Sequence, residues 1–172
     1  MPKVMAVHGI GKTADSDALL VLLKEVDGER YLPIGIGAME ITAIAAALSG
    51  EPMPRPLTHD LLCSALAATG ARVTQAIIHA IIGHVFHARL VLDVAGRHAE
   101  LDSRASDAIA VALRVGVPIQ VEEAVLEEAG IAPEPPEDAP RRAAPERVSE
   151  EQLGAFRDVI RGLDLDDLGP PS

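Results

Sequence analysis

Residues 73–116 read VTQAIIHAIIGHVFHARLVLDVAGRHAELDSRASDAIAVALRVG, and the rest of the chain is organised around them. Residues 73–78, 85–93 and 98–102 alternate or run apolar over strand-sized lengths, which predicts a three-stranded antiparallel meander. The period then becomes helical. Ser106 is placed to cap a helix running to Val115, and Gly116 stands where a terminating glycine belongs. Downstream, residues 117–121 predict a short strand and residues 122–129 a short helix ended by Gly130. Upstream, residues 4–7 and 19–24 read as strands. Asp27-Gly28 is a hairpin turn, and residues 30–36 return as the next strand. Gly37 precedes a predicted helix over 39–49, with Ile41, Ile44, Ala45 and Leu48 on one face and Gly50 at its end. Thr58 is the expected cap of a further helix, which runs to Thr69 and stops at Gly70. The expected fold class is α+β: a compact single domain, residues 1–131, with a mainly antiparallel mixed sheet and helices packed on it.

The remaining residues differ in kind. Residues 132–145 read APEPPEDAPRRAAP, with five prolines and no apolar period. Residues 132–148 are therefore expected to be a solvated linker. Within residues 149–172, Ser149 can cap a helix whose Leu153, Phe156, Val159, Ile160 and Leu163 form one apolar stripe.

Composition narrows the possibilities. The 172 residues carry a net charge of −11, are 48% hydrophobic, and include one cysteine, two phenylalanines, one tyrosine and no tryptophan. The apolar fraction supports a packed core built from Val, Ile, Leu and Ala. One cysteine excludes an internal disulfide and a cysteine-rich zinc module. No apolar run is long enough to cross a membrane as a helix, and no signal-peptide core stands at the N-terminus, so a cytoplasmic setting is expected. Residues 1–131 carry 16 acidic against 10 basic side chains and residues 132–172 carry 10 against 5, so neither part is a basic patch. Composition alone disfavours a phosphate-rich partner, because such partners are bound mainly through Lys and Arg. A cation held by carboxylates would partly reverse that.

Three segments could carry chemistry. Ala6 to Thr13 ends in Gly-Lys-Thr after a strand, but the first glycine of a phosphate loop is replaced by Ala6 and a hairpin follows instead of a long helix. A strand connection is the expectation there. Arg55-Pro56-Leu57-Thr58-His59-Asp60 leads into a helix start, where free N–H groups attract anions, and His59 is suited to acid–base work. Asp102-Ser103-Arg104-Ala105-Ser106-Asp107 joins a strand end to a helix start. Arg104 could clamp a phosphate there, and Asp102 and Asp107 could share a divalent metal. Glu40 begins another helix and is a further candidate ligand. His98, Glu100 and Asp102 share one strand face, but the histidines lack metal-site spacing. Cys63 sits in an apolar stretch as a small packing residue.

In their order along the chain these blocks resemble the bifunctional nuclease domain family. The resemblance rests on Val21-Leu22-Leu23-Lys24-Glu25, on Arg30-Tyr31-Leu32-Pro33-Ile34 followed by Ile36-Gly37 and Glu40, and on Arg55 to Leu61. It continues through Asp102, Arg104 and Ser106-Asp107-Ala108-Ile109-Ala110 to Gly116-Val117-Pro118-Ile119. The chain departs from the family at Ala105, where members usually have proline, and at Gly35, where they commonly carry a bulky aromatic. The resemblance implies a compact α+β homodimer that cleaves DNA and RNA.

The resulting expectation is a phosphodiester hydrolase assisted by Mg2+ or Mn2+. His59, Asp60, Asp102, Arg104 and Asp107 are its catalytic candidates. Arg55, Thr58, Arg104 and Ser106 are expected to bind substrate, and Glu40, Asp60, Asp102 and Asp107 to hold metal. The alternative is a non-catalytic dimeric binding or regulatory module that uses the C-terminal helix.

Overall fold

The computed structural model describes residues 1–13, 18–51, 53–132 and 146–147. Seven strands form one mixed sheet: β1 (Lys3–Lys12), β2 (Leu19–Glu25), β3 (Tyr31–Gly35), β4 (Ala71–Ile82), β5 (Val85–Val94), β6 (Arg97–Arg104) and β7 (Ile119–Val121). Their order across the sheet is β3-β2-β1-β7-β4-β5-β6. Every neighbouring pair is antiparallel except β4 and β7. A two-residue strand β8 (Glu146–Arg147) pairs with Gly11 and Lys12 of β1. The helices are α1 (Ala38–Ser49), α2 (Thr58–Ala68), α3 (Ala105–Val115) and α4 (Glu123–Ala129). The fold is α+β, with the predicted meander at β4–β6. The expected linker and C-terminal helix lie outside the described residues, apart from Ala132 and β8. Among the described residues no helix is long and apolar enough to cross a membrane.

Alternate residues of β2, β3, β4, β5 and β7 line one face and meet the helices there. Val21 and Leu23, Leu32 and Ile34, Ala76 and Ile78, Ala88, Leu90 and Leu92, and Ile119 and Val121 belong to one buried cluster. Each fully buried Val, Leu or Ile side chain among them contributes about 1.5–3 kcal/mol. Helix α3 is the centre of the helix layer. Residues Ala105, Ala108, Ala110 and Ala112 are buried, and their small side chains let the helix lie close to the sheet. Gly116, at a φ of 70°, ends it as predicted.

Three local expectations are corrected. Gly9 to Lys12 is not a connection but the second half of β1, paired with Leu22 to Leu19 beyond a register shift at His8. The glycines hide the strand in the sequence, and the neighbouring strand supplies the order. No phosphate loop exists there. Ser106 is not the cap of α3: it is the second helical residue, 7% exposed, and Arg104 holds the cap position. Thr58 is the first residue of α2 rather than its cap. The Leu57 N–H donates instead to the Asp60 carboxylate at 2.7 Å, so the helix is capped from within its own first turn.

One long-range tie fixes the helices. The Arg114 Nε donates to Asp60 Oδ1 of α2 at 2.6 Å. Its Nη1 donates to the Ala43 carbonyl of α1 at 3.1 Å and to the Ala110 carbonyl of α3 at 2.9 Å. At the far end of the sheet, Arg30 joins Glu25 of β2 to Glu123 of α4. Replacing Arg114→Met leaves the Ala43 carbonyl and one Asp60 oxygen without this charged donor. The expected loss in urea unfolding is about 2–3 kcal/mol. An unchanged urea midpoint would show that the tie holds nothing.

Candidate active site

Three helices begin at one place. Glu40 is the third residue of α1, His59 the second of α2 and Asp107 the third of α3. Arg104 closes β6 and caps α3 through its backbone, so strand pairing and helix start together fix its position. Its guanidinium takes Asp107 with two parallel bonds, Nε to Oδ2 at 2.7 Å and Nη2 to Oδ1 at 3.1 Å. The remaining Nη1 donates to Glu40 Oε1 at 2.6 Å. From α2, His59 Nε2 lies 2.9 Å from Asp107 Oδ1. The four side chains form one chain: Glu40, Arg104, Asp107, His59.

The electrostatics follow from this geometry. Burial pushes the Asp107 carboxyl up, but the hydrogen bonds from Arg104 and His59 outweigh it and hold the group below the usual range. Glu40 is lowered by its own backbone N–H at the helix start and by Arg104. The Arg104 guanidinium is raised by Asp107 and Glu40. With Asp107 ionised, it accepts the hydrogen bond, so in a neutral His59 ring the proton sits on Nε2 and Nδ1 is the acceptor. Arg104 is 63% exposed on its side chain and has five N–H donors, of which these contacts use three. The other two are available to a ligand. Each helix start adds about half a positive charge to the same place.

The expected residues divide. Glu40, His59, Arg104 and Asp107 come together. Asp60 neighbours His59 but is taken by Arg114 and the Leu57 N–H; burial pushes its carboxyl up, and these two partners bring it below the usual range. Asp102 stands opposite Arg89 in the sheet register and is exposed. Arg55 and Thr58 are exposed just before and at the start of α2. Ser106 is buried under the first turn of α3. Among the described residues no three metal-ligating side chains gather, so the four carboxylates expected to share a metal do not form one donor set. What the fold gathers is the pair Glu40 and Asp107. Two carboxylates completed by phosphate oxygens and water are a donor set that Mg2+ commonly uses.

The profile of the bifunctional nuclease domain matches residues 21–134, a span that contains all these side chains. The chain belongs to the bifunctional nuclease domain family. It is 39% identical over 161 residues to an uncharacterized protein of Mycobacterium tuberculosis, found in two strains, covering 94% of both chains. It is 32% identical over 115 residues to a protein of Oryza sativa subsp. japonica named Bifunctional nuclease 2, covering 65% of this chain and 35% of the rice protein. The resemblance carried by Glu40, Arg55 to Leu61 and Asp102 to Ala110 is thus a family relationship.

In this bifunctional nuclease domain the two lowered carboxyls link the site to stability. Each ionises more readily folded than unfolded. Its contribution is therefore complete above the ordinary values of 4.5 for Glu40 and 3.8 for Asp107, and is lost as pH falls through the lower folded values. Urea unfolding of the wild type should weaken as pH drops from about 5 to 2.5. The Glu40→Gln, Asp107→Asn double variant should weaken less steeply. Parallel pH profiles for the two proteins would show that the network adds no acid-sensitive stability.

Proposed function

We propose that this chain is a nuclease that hydrolyses phosphodiester bonds of DNA and RNA at the Glu40–Arg104–Asp107–His59 cluster. The supporting observation is the meeting of three helix starts and an exposed arginine around a histidine–carboxylate pair. The exposed guanidinium of Arg104 has two N–H groups outside these contacts, which suit a phosphate oxygen. Asp107 orients the His59 ring, and Nδ1 of His59 takes the proton of the attacking water. The water oxygen bonds to phosphorus, the bond to the sugar oxygen breaks, and solvent protonates that leaving oxygen. Arg104 faces the charge that grows on the phosphoryl oxygens. Arg55, fixed between Pro54 and Pro56 ahead of α2, is the second phosphate contact.

Divalent metal assistance, by Mg2+ or Mn2+, is part of this proposal, with Glu40 and Asp107 as the holders. When bound, such an ion supplies charge stabilisation and a more acidic water. The rice relative's name supports the nuclease reading, and the family relationship supports nucleic acid as the substrate class.

The test is cleavage of single-stranded DNA and RNA by wild type, His59→Gln, Asp107→Asn and Arg104→Met, with Mg2+, with Mn2+ and with EDTA. His59→Gln and Asp107→Asn should each lose about 10²–10⁴-fold in rate, the usual worth of a positioned acid–base group. EDTA should abolish wild-type cleavage. Persistence in EDTA removes the metal from the proposal and leaves the His59–Asp107 pair. Equal rates in all four proteins would overturn the assignment. No cleavage by the wild type, with partner binding that is lost on removal of residues 132–172, would select the non-catalytic module.

A further inference from the structure

We propose that Arg114, acting through Asp60, positions His59 against Asp107 and so controls proton transfer at the site. This inference rests on the nuclease reading and names what holds its acid–base group in place.

The three helices that deliver the site are not anchored alike. Helix α1 buries Ile41, Ala43 and Ile44, and α3 buries seven of its eleven residues. Helix α2 buries none. Its Leu62, Cys63 and Leu66 pack on the core only in part, and Leu61 is 64% exposed. A segment with so little buried apolar contact is weakly held by the core. Yet α2 carries His59, and a misplacement of about 1 Å at a reacting group can cost about 10²-fold in rate.

Asp60 and Arg114 supply the missing anchor. Asp60 follows His59 directly. Its Oδ2 accepts the Leu57 N–H at 2.7 Å, and its Oδ1 accepts Arg114 Nε at 2.6 Å. One carboxylate thus closes the start of α2 and ties it to α3. Arg114 stands two turns beyond Asp107 on the same stripe of α3. Its Nη1 donates to the carbonyls of Ala43 and Ala110, so the guanidinium locates α2 against α1 and α3 together. The Nε2 of His59 then meets Asp107 Oδ1 at 2.9 Å. With one oxygen on the Leu57 N–H and the other on Arg114, Asp60 acts through His59 and not on the substrate.

The burial of Arg114 fits this role. A cation in the last turn of a helix gains from the dipole while staying in water. The Arg114 side chain is instead only 8% exposed. Apolar side chains of similar volume often hold a fold as well as such a pair does, so what the pair adds is a fixed geometry.

The test compares wild type with Arg114→Met, Asp60→Ala, their double variant, and Arg30→Met, a control that breaks the tie at the far end of the sheet. Urea unfolding selects conditions in which each protein is folded; should Arg114→Met not fold, Asp60→Ala carries the same test. Cleavage of a single-stranded DNA oligonucleotide gives kcat and KM. Two-bond 15N–1H NMR of the neutral histidine rings reports the His59 tautomer, with His59→Gln assigning the signal. Arg114→Met and Asp60→Ala should each lower kcat about tenfold to a hundredfold and leave KM within about twofold. Both should replace the Nε2–H signal of His59 by that of a ring averaging between tautomers. The double variant should lose no more than either single one, because the two residues act as a unit. Arg30→Met should keep kcat and the His59 signal. With a wild type that cleaves, an unchanged kcat or His59 signal in Arg114→Met overturns the positioning role and spares the nuclease reading. A loss carried by KM, an equal fall of kcat in Arg30→Met, or losses that multiply in the double variant do the same. No cleavage by the wild type overturns both.

Discussion

The Arg104 guanidinium bridges two carboxylates that lie far apart in sequence, Glu40 and Asp107, and the helix layer depends on that bridge. Arg104 itself is set by strand pairing with His87, so the bridge refers the helices back to the sheet. Helix α2 is pinned twice at its first turn. His59 reaches Asp107, and the next residue, Asp60, reaches Arg114 two turns further along α3. Two contacts from adjacent residues to points about 10 Å apart fix both the position and the direction of the α2 start. The site is thus held by the same bonds that hold the helices.

The overall charge and the local charge point in opposite directions. A net charge of −11 repels polyanions at long range and lowers the encounter rate. At physiological ionic strength exposed charges are screened beyond about 8 Å, so a bound phosphate responds mainly to what surrounds it. Around this site stand three helix starts and the open edge of Arg104. Glu40 and Asp107 oppose them, and each is already neutralised in part by Arg104. Helix dipoles matter here because residue counts do not register them.

Much of the fold was legible because it rests on local pattern. The alternation over β4, β5 and β6, the change of period at Arg104 and the glycines after α1 and α3 all act within a few residues. The same holds for the part of the site made by Arg104 and Asp107. Legibility ended where a partner is distant. Asp60 and Asp107 look alike as early helical carboxylates, and only the fold gives one to Arg114 and the other to Arg104 and His59. Arg114 reads as a basic residue in the last turn of a helix, where it would favour the dipole, and nothing local points to its reach across α1 and α2. The caps failed for a similar reason. Thr58 and Ser106 are good caps in isolation, but Asp60 serves the Leu57 N–H better and Ser106 is drawn under the helix by its apolar neighbours.

Ala105 and Gly35 are the two positions at which this chain departs from the family pattern. Ala105 is the first helical residue of α3, a position at which proline is favoured because its missing N–H has no helical partner. A proline there would stiffen the turn from β6 into α3. Here the two-bond grip of Arg104 on Asp107 spans the same residues and restrains the same turn, so alanine leaves the geometry of the site in place. Gly35 is exposed at the end of β3, and nothing lies within 4 Å of where a side chain would begin. An aromatic at that position would extend the surface ahead of α1 without displacing Glu40. The loss of both features subtracts rigidity and surface from the rim, while the four side chains at the centre remain positioned by one another.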